Sequence, residues 1–156
     1  MQKLLVSGLS ALGFVMLAQG AFAAAPAYKC VGFEDPLTHS PVHASRGRVL
    51  PFRAELHDGS GKNLDATTIK ASPMIQVTFL AHGGKEVDKS ALAKPRDFGV
   101  GRSFVFDQEH GHWKFDLQTE FFPEDGNYRV TIVPGDASYQ IDPRCKVDFM
   151  LHKGDD

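Results

Sequence analysis

The sequence predicts an all-β fold, an immunoglobulin-like antiparallel β-sandwich of about seven strands preceded by a cleaved signal peptide. Three observations carry that expectation. Trp113, Phe115 and Leu117 share one parity, as do Tyr128, Val130 and Ile132, and again Cys145, Val147, Phe149 and Leu151. That period of two belongs to strands with one face in a core and one in water. Turn signals such as Asp58-Gly59 and Asp125-Gly126 separate the alternating runs, with no strong helix between them. Finally, two cysteines stand near the two ends of the exported chain. Packing two sheets face to face buries both apolar faces at once.

Met1 to Ala25 reads as the export signal. Lys3 gives the positive start, Leu4 to Ala18 the apolar run, and Ala21-Phe22-Ala23 the small-x-small pattern that a signal peptidase accepts, with cleavage expected near Ala23 to Ala25. A membrane anchor fits less well, because Ser7, Gly8, Ser10 and Gly13 interrupt a run of only about 15 residues with no basic flank beyond it. Cys30 follows Ala27-Tyr28-Lys29, which is not a lipobox. Residues 26–156 are then expected to form one sandwich domain, without a membrane span and placed in the periplasm or outside the cell.

Along that domain, Tyr28 to Phe33 is a first short strand and Glu34 to Gly47 a polar loop. In Arg48 to His57 the residues Leu50, Phe52, Ala54 and Leu56 share one face, and Pro51 implies a sheet edge or a bulge. The chain turns at Asp58-Gly59-Ser60-Gly61. Pro73 to Leu80 is the next strand, with Ile75, Val77 and Phe79 on one face. Ala81 to Arg102 reads as a long connection in which Val87 to Ala93 has room for one or two helical turns. Ser103 to Asp107, a hairpin turn at Gln108 to Gly111, and the Trp113 strand follow. Phe121 to Asn127 leads into the Tyr128 strand. Gly135 to Pro143 is a last loop with a short edge segment at Tyr139 and Ile141, before the final strand through Cys145.

Cys30 and Cys145 are the only cysteines, and an exported chain meets an oxidising compartment, so the two are expected to pair. In the chain-entropy account, closing so long a loop stabilises the fold by about 4–5 kcal/mol. A redox or metal role lacks the Cys-x-x-Cys spacing such chemistry uses. Asp125-Gly126-Asn127-Tyr128 leaves two readings open: an ordinary core tyrosine, or a tyrosine corner whose hydroxyl bonds back to the chain.

Three segments, Gly47 to Leu56, His112 to Leu117 and Gly126 to Ile132, resemble the PxKF-type modules of bacterial secreted and surface proteins. The likeness covers roughly Arg46 to Leu151. It departs at the Pro-x-Lys-Phe position itself, which reads Pro51-Phe52-Arg53-Ala54 here. The resemblance implies an immunoglobulin-type sandwich and carries over no catalytic residue.

Lys3 leaves with the signal, so acidic residues outnumber basic ones in the mature chain. Such a surface has no general attraction for nucleic acid or anionic lipid. Arg46, Arg48 and Arg53 form the one dense basic patch, a minor candidate for holding an anion. Among seven histidines, Glu109-His110-Gly111-His112 is the sharpest group. On extended chain His110 and His112 project to one side, where two imidazoles can share a copper or zinc ion with a third ligand from His39, His43 or His82. The rival reading is a hairpin turn whose polar residues simply face water.

Other patterns carry less. Asp58 to Asp65 imitates a calcium loop but places Lys62 where an oxygen ligand is required. Gly99-Val100-Gly101 lacks the strand, helix and further glycine of a dinucleotide site. The chain holds no Gly-x-Ser-x-Gly and no His-Glu-x-x-His. Glu120, Glu124 and Asp125 are the acids a glycosidase would need, yet they sit in one polar loop. Trp113 shares parity with core residues, so it reads as core rather than as a sugar platform. The expectation is therefore an exported, non-enzymatic module that binds a protein or cell-surface partner, or serves a structural role, through loops or a sheet edge. A periplasmic copper or zinc protein using His110 and His112 is the alternative, and a small secreted hydrolase a third.

Overall fold

A computed structural model describes residues 24–38, 41–97 and 99–154. The signal segment, apart from its last two alanines, and His39 lie outside the described residues. Ten strands form: β1 Ala27–Phe33, β2 Val42–Ser45, β3 Val49–His57, β4 Met74–Leu80, β5 Glu86–Asp88, β6 Val105–Asp107, β7 His112–Gln118, β8 Gly126–Val133, β9 Gln140–Ile141 and β10 Lys146–His152. They build two five-stranded sheets, β6-β7-β3-β1-β9 and β2-β10-β8-β4-β5. The protein is an all-β sandwich, and three short 3-10 turns are its only helical segments among the described residues. None of them is long and apolar enough to cross a membrane.

Both sheets are mixed rather than purely antiparallel, because β1 pairs parallel with β9 and β2 pairs parallel with β10. Each of those pairings joins a strand from the start of the domain to one from its end. A tight hairpin cannot make such a pair, since parallel neighbours need a long crossover. The central pairings β3 with β7, β7 with β6, and β8 with both β4 and β10 are antiparallel. The two-residue β9 is the short edge segment expected near Ile141, and the strands beyond expectation are the four-residue β2 and the three-residue β5, all three at sheet edges.

Alternation along the long strands sorts their side chains as the sequence implies. β3 buries Leu50, Phe52, Ala54 and Leu56; β7 buries Trp113, Phe115 and Leu117; β8 buries Tyr128, Val130 and Ile132; β10 buries Val147, Phe149 and Leu151. Each such large apolar side chain stabilises the fold by about 1.5–3 kcal/mol when fully buried. The Trp113 indole is wholly buried and donates from Nε1 to the Leu64 carbonyl at 2.8 Å, so it belongs to the core. Pro51 sits in β3 between strands, yet β1 pairs only with Ala54 to His57, so its side away from β7 has no strand partner among the described residues. That local edge accommodates a residue without an N–H.

Cys30 in β1 and Cys145, just before β10, form the expected disulfide, with Cα atoms 5.4 Å apart. It joins one sheet to the other. Tyr128 resolves the two readings of its turn by satisfying both: it is fully buried, stacks on Phe149, and donates from its hydroxyl to the Glu124 carbonyl at 2.8 Å. Burial, with the nearby Glu124 carboxylate adding to it, pushes that phenol well above the usual tyrosine range. A second buried phenol, Tyr139, donates to the Ala71 carbonyl at 2.7 Å and accepts from the Gly135 N–H at 2.9 Å, pinning the last loop to the chain before β4.

Candidate metal centre at the β6–β7 turn

Residues 108–111 connect β6 to β7, as the turn signals imply. Gly111 takes a φ of +73°, a backbone conformation that side chains other than glycine rarely adopt, and its N–H donates to the Asp107 carbonyl at 2.8 Å. Asp107 closes the turn from inside. Its Oδ1 accepts from the backbone N–H of Glu109 at 3.1 Å and of His110 at 3.3 Å. Asn63 holds the turn from below, donating from its side chain to the Gly111 carbonyl at 2.5 Å.

This geometry brings the two histidines together. The rings of His110 and His112 lie 5.6 Å apart between centroids and within 14° of parallel. His110 Nδ1 is 3.3 Å from Asp107 Oδ1, and Asp107 is paired across the strands with His112. Asp107, His110 and His112 each offer one ligand atom, and these atoms all lie within 4.8 Å of one another. His112 is buried, Asp107 half-buried and His110 exposed, so the cluster is anchored at its base and open at its rim.

Asp107 is ionised but already paired at one oxygen, which leaves Oδ1 facing His110. The Lys114 ammonium, 2.9 Å from Asp107 Oδ2, holds the Asp107 carboxyl well below its ordinary range, and the His110 ring adds to the effect despite partial desolvation. The carboxylate is therefore ionised at any physiological pH. Glu34 Oε1 accepts from His112 Nδ1 at 2.8 Å, which leaves Nε2 as the unprotonated nitrogen when the ring is neutral. A carboxylate behind an imidazole in this way fixes the tautomer and orients the ring in many metal sites.

Of the three imidazoles offered as a third ligand, His39 lies outside the described residues and the other two stand elsewhere. His82 lies in the short turn after β4, and His43 lies on β2 beside His152, so neither joins His110 and His112. Among the described residues the donor that converges with the two imidazoles is Asp107, three residues before His110 and a carboxylate rather than an imidazole. Its place just ahead of the turn was the available signal. Glu34 was missed for a different reason: it lies 78 residues away from His112, and no local pattern connects them.

The remaining candidates disperse. Arg46 pairs with Asp125 at 2.5 Å and Arg53 with Asp116 at 2.7 Å, so two of the three patch arginines are neutralised within the fold. Glu124 pairs with Lys89 at 2.5 Å, which leaves Glu120 as the member of the acidic loop without an ion-pair partner among the described residues. Asp58 Oδ1 accepts from the N–H groups of Ser60 and Lys62 at 2.8 and 3.0 Å, making a turn and not a calcium loop. No protein-family model matches the chain, and no curated protein matches it.

Proposed function

We propose that this chain is an exported, non-enzymatic β-sandwich module that captures a divalent copper or zinc ion at Asp107, His110 and His112. The observation that carries the reading is the convergence of three donor atoms within 4.8 Å, with one imidazole already oriented by Glu34. Two imidazole nitrogens and one carboxylate oxygen suit both metals and leave a coordination position for water or a partner's ligand. Export supplies the setting: the signal-like Met1 to Ala25 and the Cys30–Cys145 bond both belong to an oxidising compartment. The likeness of β3, β7 and β8 to PxKF-type modules agrees with a sandwich frame and carries over no catalytic residue.

A loop site is favoured over strand addition. The four edge strands β6, β9, β2 and β5 run to only three, two, four and three residues, which gives a partner's strand little to pair with. Calorimetric titration of tag-free mature protein with copper and zinc, beside the His110→Ala/His112→Ala variant, tests the proposal. Saturable binding in the parent that the variant lacks supports it. Equal binding in both proteins, or none in the parent, refutes it.

A further inference from the structure

We propose that the outer face of the β2/β10 pair is a second and softer metal site, in which His43, Met150 and His152 bind monovalent copper. The strand register places the three residues together: His43 is the direct partner of Met150, and Ser45 of His152, in a parallel ladder. Alternation settles the face. Ala44 on β2 and Phe149 and Leu151 on β10 point into the core, so His43, Met150 and His152 share the opposite, solvent side. The His43 and His152 rings are 6.4 Å apart between centroids, tilted by 52°. An imidazole nitrogen sits about 2 Å from its metal, so two rings sharing one ion have centroids at most about 6.5 Å apart. The observed separation is already at that limit, and both side chains are exposed.

The donor chemistry selects the ion. A thioether is a soft ligand that favours monovalent copper, and imidazole accepts the same ion, whereas zinc and divalent copper gain more from the carboxylate at the hairpin site. Asp148, two residues before Met150 on β10, is held by the Arg129 guanidinium at 2.8 and 3.0 Å, so its charge is met by that of Arg129. Ser45 Oγ lies 3.3 Å from His152 Nε2 and steadies that ring. The cluster stands at the other end of the sandwich from the hairpin: Ser45 touches Thr119, just past the end of β7, whereas His112 begins that strand. The two sites are thus separate in space and in preferred oxidation state.

The test uses mature protein under anaerobic conditions with ascorbate, titrated with monovalent copper against the chromophoric chelator bicinchoninate. Met150→Leu keeps the shape of the side chain and removes its sulfur, and His43→Gln/His152→Gln removes the imidazoles. The expected result is that the parent and His110→Ala/His112→Ala withdraw copper from the chelator alike. Met150→Leu and the glutamine pair should withdraw it at least about tenfold less well, the loss that even an outer-shell partner can cause. X-ray absorption of the copper-loaded parent should show a sulfur neighbour that Met150→Leu lacks. Parent protein that leaves copper on the chelator overturns the proposal. So does Met150→Leu that competes as the parent does, or a spectrum of the parent holding only nitrogen and oxygen neighbours. The hairpin proposal is untouched by those outcomes, since it is read with divalent ions and a different variant.

Discussion

Glu34 accepts a hydrogen bond from His112 Nδ1 at 2.8 Å, joining the residue just after β1 to the first residue of β7. The carboxylate is half-exposed while the imidazole is nearly covered, so the contact reaches from solvent to the base of the candidate centre. Glu34→Ala should keep the fold and weaken copper or zinc binding by about 10–100-fold, the usual cost of losing an outer-shell partner. Titration calorimetry on the variant checks this, and undiminished affinity would show that Glu34 does not orient the ligand.

The tyrosine corner predicts a loss confined to stability. Tyr128→Phe removes one buried hydroxyl and leaves the Glu124 carbonyl without its donor. About 1–2 kcal/mol should disappear from the unfolding free energy in urea, with metal binding unchanged.

Gly135 has no room for a side chain. A Cβ there would stand 2.2 Å from the Ser72 carbonyl oxygen and 2.8 Å from that of Ala71, so the backbone itself must move. Gly135→Ala should destabilise the protein by about 1–3 kcal/mol, on the scale of an overpacked core. It should also loosen the Tyr139 tether to Ala71, which amide hydrogen exchange around residues 135–139 would register. Unchanged exchange and stability would contradict the close approach.

Acid should expose the role of Asp65. Hydrogen bonds from the Thr67 side chain first, and then from the Thr68 backbone, lower its pKa from 3.8 to about 2. Because the folded value lies below the unfolded one, its contribution is present above about pH 4 and fades as pH falls through about 2. Asp65→Asn should therefore unfold more easily than the parent at neutral pH, and the two denaturation midpoints should converge as the solution is acidified toward pH 2. A gap that stays constant over that range would assign the difference to something other than ionisation.

How much of this was legible depends on strand length and on sequence distance. β3, β7, β8 and β10 each show several alternating apolar residues, and their inward faces follow directly from parity. β2 buries only Ala44, and β5 buries no residue, so neither leaves a periodic trace. The stretch Val87 to Ala93, expected as helical turns, divides between the end of β5 and a 3-10 turn at Ser90–Leu92, where Ser90 Oγ accepts from the Val77 N–H at 3.0 Å. At the candidate centre the pair His110 and His112 was visible because the two residues are neighbours. Asp107 needed the hairpin register, and Glu34 needed the placement of β1 beside β3, which tertiary structure alone provides.

The Cys30–Cys145 bond also decides how the molecule responds to being pulled or cut. Tension applied at the two termini runs through the sulfur bridge and bypasses everything threaded between, so only the short tails can be drawn out. A protease that nicks any single exposed loop inside that ring releases no fragment, and both sheets stay tethered. A wound to the chain need not become a loss.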